Sequence, residues 1–178
     1  MISLFKVRKL AAVLAVLLSV FMVGLFTTTA QAVTDFDSAP RGAHYAKGNS
    51  EPICTVTGTT VSCTGTAIVG VGNTNATVEL SVTSTISGVC HNPGVNSKVV
   101  EPFSESVTTT TESELTSTKN GRLNVPAQET TGASTEDFLA TFECPNPRWD
   151  PEVTSNVLSY EYTLTFAGFT EPAISITG

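Results

Sequence analysis

Side chains that carry chemistry are scarce in this chain of 178 residues. It holds two histidines, His44 and His91, one tryptophan, Trp149, and nine lysines and arginines against sixteen acidic residues. Neither histidine stands in a G-x-S-x-G or H-E-x-x-H setting, so neither is placed beside a nucleophile or a second ligand as triad hydrolysis or zinc catalysis requires. Cys54 and Cys63 have eight residues between them and no C-x-x-C pair, which removes the common zinc frameworks. The D-x-D-x-D-G calcium loop is missing as well, although Asp35 and Asp37 stand close together. We therefore expect no metal and no cofactor. Helical patterning is short too. Only Ser134-Thr135-Glu136-Asp137-Phe138-Leu139 carries a capping pattern, enough for a single turn.

The shortage of basic residues is sharper than the totals suggest. Lys6, Arg8 and Lys9 precede an apolar run from Leu10 to Phe26, which leads through three threonines to Ala30-Gln31-Ala32. A basic start, an apolar stretch and an A-x-A site are the three parts of a secretory signal, and they predict cleavage after Ala32. Because those three basic residues leave with residues 1–32 and no acidic residue does, the net charge changes from −7 to −10 over the remaining 146 residues. Such a surface repels phosphate backbones and anionic lipid, which argues against nucleic acid or a membrane as partner once the signal is removed.

The remaining length fits one domain. Val33 to Ser50 is polar and aperiodic, and reads as a flexible arm at 33–50 ahead of a single β-sandwich domain at 51–178. From Pro52 onward apolar residues alternate with Thr and Ser, the period-2 pattern of strands with one dry and one wet face. In Thr77 to Ser87 the residues Val78, Leu80, Val82 and Ile86 share a face; in Val157 to Thr165 the residues Leu158, Tyr160, Tyr162 and Leu164 do so, continuing to Phe166. These two segments are expected to be neighbouring core strands. Shorter strands are expected at Val99–Thr111, Leu115–Thr118, Leu123–Val125, Phe138–Phe142 and Ala173–Ile176, with a type I′ hairpin turn at Asn120-Gly121. The fold class is therefore all-β, an antiparallel β-sandwich or partly open barrel.

Four cysteines in an exported chain predict two disulfides, with three possible connectivities. Gly58-Thr59 suits a two-residue turn that wants glycine first, and that register puts Thr57 opposite Thr60, Val56 opposite Val61 and Cys54 opposite Cys63. Cys54 and Cys63 then form a non-hydrogen-bonded pair, where side chains come closest. Cys90–Cys144 follows by elimination. The register also places Cys54, Val56, Val61 and Cys63 on one face.

The order of a Thr-rich strand, Cys90-His91-Asn92-Pro93-Gly94-Val95-Asn96, a Thr/Glu strand, Asn120-Gly121 and a late Cys144-Pro145 resembles a loose group of small exported β-proteins of high-GC Gram-positive bacteria. Their loop pattern is C-x-N-x-G-G-N, and Val95 replaces the second glycine here. The resemblance supports the all-β architecture only and carries no function with it, while the signal segment itself looks bacterial.

The sequence points to a secreted, extracellular, non-enzymatic domain with a binding or structural role, its partner an extracellular protein or polysaccharide. Two alternatives stand beside that reading. One is a protease inhibitor offering a disulfide-anchored loop around Arg148-Trp149; the other is a hydrolase built on one of the carboxylate pairs Asp35/Asp37, Glu101/Glu105, Glu112/Glu114, Glu136/Asp137 or Asp150/Glu152. The candidate binding loop comprises His91, Asn92, Asn96, Asn146, Arg148 and Trp149, because Cys90–Cys144 would hold two irregular segments side by side and Trp and Arg are enriched at interface hot spots. The repeated T-x-T units, Thr55/Thr57, Thr83/Thr85, Thr109/Thr111, Thr116/Thr118 and Thr163/Thr165, read as ordinary solvated strand faces.

Overall fold

The computed structural model of the protein describes residues 31–94 and 98–178. In chain order these form β1 (Gln31–Thr34), β2 (His44–Tyr45), β3 (Cys54–Thr57), β4 (Thr60–Cys63), β5 (Thr66–Val69), β6 (Ala76–Asn92), β7 (Lys98–Leu115), β8 (Arg122–Val125), β9 (Gln128–Thr131), α1 (Thr135–Leu139), β10 (Asp150–Phe166) and β11 (Ile174–Thr177). Of the expected signal over residues 1–32, residues 1–30 lie outside the described residues; its last two, Gln31 and Ala32, open β1.

Strict alternation makes β6 the spine of the fold. Every second residue from Ala76 to Cys90 is buried and every residue between is partly exposed, so one face of a 17-residue strand is dry along its length. β10 lies antiparallel beside it, with Tyr162 opposite Leu80 and Leu164 opposite Val78, the neighbouring core strands that their shared period implied. β7 covers the other side of β6, and the five-stranded order is β1-β11-β10-β6-β7. At about 3.3 Å per residue the three long strands run roughly 55 Å.

The short strands cannot cover that length, so they tile it in two three-stranded sheets, β2-β5-β8 and β3-β4-β9. β8 lies towards the Ala76 end, since the chain turns into it directly after Leu115, which is opposite Ala76. Sheet β3-β4-β9 lies further along, where the Thr130 hydroxyl donates to the Leu80 carbonyl at 3.1 Å. Val61, Ile68, Leu123 and Val125 from the short sheets meet Val78, Leu80, Val82, Tyr162, Leu164 and Ile174 from the long one in a single buried cluster. The result is a β-sandwich whose sheets do not close into a barrel, with disulfides Cys54–Cys63 and Cys90–Cys144.

The register of the first hairpin is the one the turn chemistry demanded: Cys54 opposite Cys63, Val56 opposite Val61 and Thr57 opposite Thr60, with Gly58 at φ +61°. Burial differs at one position. Val61 is fully buried, whereas Val56 is 46% exposed because β3 is the edge of its sheet.

Four further expectations need correction. The segment 33–50 is no loose arm: β1 pairs with β11, β2 pairs with β5, and Ala39 and Ala46 are buried, so the anticipated boundary at 50/51 lies in the loop between β2 and β3, with paired structure on both sides of it. Elements of four and two residues are too short to show a period, and tertiary pairing builds them in. Phe138–Phe142 is no strand, because the Ser134 cap wins locally. Its hydroxyl accepts the Asp137 amide at 3.0 Å and α1 follows. Leu115–Thr118 is no separate strand either: Leu115 ends β7, and Thr118 belongs to the next turn. In that turn the Gly121 amide donates to the Thr118 carbonyl (2.9 Å) and the Thr118 amide to the Arg122 carbonyl (2.8 Å). Lys119-Asn120 are thus the central pair and Gly121, at φ +68°, is the left-handed residue after them. This is the three-residue loop with a glycine bulge rather than a type I′ turn at Asn120-Gly121. It carries the chain from one sheet to the other.

Candidate functional site

β6, β7 and β10 continue past the sandwich, and their far ends need another cover. The chain from Ala133 to Trp149 supplies it. α1 turns Phe138 inward, where it is buried, and Phe142 follows one turn later. With Phe103 of β7 they form an aromatic trio, with ring centroids 4.3 Å apart for Phe103–Phe142 and 4.9 Å for Phe138–Phe142. Gly88 lies beneath, and a Cβ there would fall 2.5 Å from Phe103 Cζ, so only glycine lets the ring settle onto β6. Cys144 is then bonded to Cys90 of β6, Cα to Cα 6.0 Å, and the Asn156 side-chain Nδ2 donates to the Ala133 carbonyl at 3.0 Å.

This cover brings most of the sequence-selected residues to one end of the molecule. His91 and Asn92 finish β6, and His91 is opposite Asp150, the residue after Trp149. His91 Nε2 is 2.6 Å from a Glu152 carboxylate oxygen across the strands. Asn92 Oδ1 accepts the Gly94 amide at 2.9 Å and Asn146 Oδ1 accepts the Arg148 amide at 3.0 Å, so each loop is closed by an asparagine side chain. Val95 and Asn96 lie outside the described residues.

The second loop is a turn with asparagine first and proline second, the residues such turns favour. The Trp149 amide donates to the Asn146 carbonyl at 2.9 Å. Arg148 is exposed at the turn, and Trp149 is half-buried over a depression of about 170 Å³ lined by Phe142, Glu143, Cys144, Pro147 and Pro151. Arg148-Trp149 is therefore folded into a tight turn, away from the extended form in which peptides enter strand-pairing clefts. Against Cys90 lies a crevice of about 180 Å³ lined by Phe103, Phe142, Pro102 and Pro145 together with Glu101, Glu105 and Glu143. Apolar and aromatic lining with three carboxylates suits a cationic side chain.

Of the carboxylate pairs, Glu101/Glu105, Glu136/Asp137 and Asp150/Glu152 lie at this end, while Asp35/Asp37 and Glu112/Glu114 lie elsewhere. Asp35 caps the 3-10 turn at Phe36–Ser38, accepting the Asp37 amide at 2.9 Å. Glu112 is directly opposite Glu79 on β6. Among the described residues no three His, Cys, Asp or Glu side chains cluster so as to hold a metal ion.

A second surface was not anticipated. On the open face of the long sheet, hydroxyls pair across β6 and β7 rung after rung: Ser81 with Thr110 and Thr83 with Thr108 at 2.8 Å, Thr85 with Ser106 at 3.0 Å, and Ser87 with Ser104 at 2.8 Å. Of the T-x-T units on these two strands only one belongs to it. Thr83 and Thr85 belong to the ladder, while Thr109 and Thr111 point to the opposite face, since Thr111 is opposite core-facing Leu80. Only the pairing register could have revealed the ladder, because its partners are 17 to 29 residues apart in sequence. A shallow depression of about 870 Å³ opens on this face beside Ser81, Thr83, Thr108, Ser159 and Glu161.

No family model, curated protein or solved structure matches the chain. No helix among the described residues is long and apolar enough to cross a membrane.

Proposed function

We propose that the protein, freed of residues 1–32, works outside the cytoplasm as a non-enzymatic binding domain, and that it docks through the disulfide-held end bearing Asn146, Arg148 and Trp149. The observation that carries this reading is the loop itself. Arg148 and Trp149 are displayed on a turn fixed by Pro147, by the Asn146 side chain and by the Cys144 bridge to β6. A loop already ordered loses little entropy on binding, and Arg and Trp are the side chains that most often dominate an interface. The acidic crevice against Cys90 supports an extracellular protein or polysaccharide carrying basic groups as partner.

The test is retention of the protein on immobilised cell-wall polysaccharide and on immobilised culture-supernatant proteins, with Trp149→Ala and Arg148→Ala beside the parent. Either substitution should weaken retention by about fivefold or more, equivalent to ~1 kcal/mol, at an almost unchanged melting temperature. If Trp149→Ala lowers the melting temperature and leaves retention alone, Trp149 is a lid on the tip and the reading fails.

A further inference from the structure

The outer edge of the long sheet leaves a long stretch of strand exposed. β7 ends the strand order, and its inner side is bonded to β6 along its whole length. Towards its C-terminal end β9 approaches it, the Thr111 hydroxyl donating to the Glu129 carbonyl at 3.2 Å. Ser104 through Thr110, in contrast, are exposed without exception, including Val107. A free edge presents a row of unpaired N–H and C=O groups, which proteins guard with charge, proline or a bulge.

Here the guards stand only at the ends. Glu101 and Pro102 lie beside the register shift at Cys90/His91, and Glu112 and Glu114 lie at the other end. Between them Phe103 to Thr111 contains one charge, Glu105, with no proline and no glycine, and Val107-Thr108-Thr109-Thr110-Thr111 is an unbroken β-branched run. That composition favours further pairing.

We propose that β7 pairs antiparallel with β7 of a second copy of this chain, about a two-fold axis through Val107, so that two five-stranded sheets become one of ten strands. The unguarded stretch is centred on Val107, and an axis there pairs all of it. Val107 then meets its own equivalent, Ser106 lies opposite Thr108 of the second copy, Glu105 opposite Thr109, and Ser104 opposite Thr110. No carboxylate faces another. A two-fold axis perpendicular to the sheet keeps both hydroxyl faces on the same side, so Ser104, Ser106, Thr108 and Thr110 repeat across the junction the hydroxyl pairing they already make with β6. Two chains of high negative charge repel at long range, so salt favours the pair.

Sedimentation of the purified protein over a concentration series tests this. The expected result is a monomer–dimer equilibrium that tightens as salt is raised. Val107→Lys sets two ammonium groups opposite each other and should weaken the dimer about fivefold or more. Thr109→Lys faces Glu105 of the second copy twice and should tighten it roughly two- to tenfold at low salt, while Thr109→Glu should weaken it. All three replace exposed side chains, and the Thr109 pair carries the test if Val107→Lys fails to fold. A protein that stays monomeric throughout overturns the proposal. A dimer indifferent to these substitutions lies elsewhere, and one weakened by Thr109→Lys has another register; either result overturns it equally.

Discussion

Among single residues, Tyr162 shows most plainly how the core couples to solution conditions. Its ring is fully buried between the sheets, and its hydroxyl has no hydrogen-bond partner among the described residues. Burial, with Tyr45 nearby, pushes the phenol far above its ordinary value of 10.0. A raised folded-state value means that the unfolded chain loses its proton first. Stability is therefore fully present below pH 10 and falls as pH rises beyond it, by about 1.4 kcal/mol per pH unit for this group. Denaturant melts from pH 7 to 12 should show that decline, and Tyr162→Phe should flatten it. At pH 7 the same substitution removes an unpaired buried hydroxyl, so stability should be unchanged or higher by up to about 1 kcal/mol. A loss above 1 kcal/mol at pH 7 would mean that the hydroxyl is satisfied.

At the scale of elements, the two disulfides do different work. Cys54–Cys63 staples a hairpin whose turn and register already agree, with nine residues of separation; Cys90–Cys144 spans 54 and ties the cover segment to β6. In the chain-entropy account the longer loop contributes about 4 kcal/mol and the shorter about 3. Cys90→Ala/Cys144→Ala should therefore lower the urea midpoint more than Cys54→Ala/Cys63→Ala. The reverse order would show that strand pairing, rather than loop closure, sets the value of each bridge. Gly88 belongs to the same design, since its missing side chain gives Phe103 its seat under Phe142.

Across the whole molecule there are two bodies of apolar packing on one continuous sheet. The main buried cluster reaches Val82 on β6 and stops, while Ile86, Cys90, Phe138 and Cys144 are buried separately at the tip. The smaller body has fewer contacts to lose, so it should open before the sandwich does. Native-state hydrogen exchange is expected to release the amides of Thr135 to Phe142 well before those of Val78 to Val82, and reducing the disulfides should widen the gap. Equal rates would make tip and sandwich one cooperative unit. A local opening of that kind would carry Trp149 and Arg148 with it, and binding through the tip would then slow exchange there.

Much of this architecture was legible before any coordinate. Period-2 alternation in β6 and β10 marked both strands and their dry faces, because a strand buried on one side must repeat every second residue. Gly58 and the alternating Thr and Val around it determined the first hairpin to the residue, and with it both disulfides, because turn type sets register over so short a distance. Ser134 named its own short helix. The tertiary structure alone decided the rest. β1 and β2 are too short to carry a period and exist through their pairing with β11 and β5. The aromatic trio joins Phe103 to residues 35 and more positions away, and the hydroxyl ladder depends on a β6–β7 register that no local turn dictates. Which strand is left at the edge is likewise a property of the strand order, so the exposure of β7 appears only when all five strands are in place.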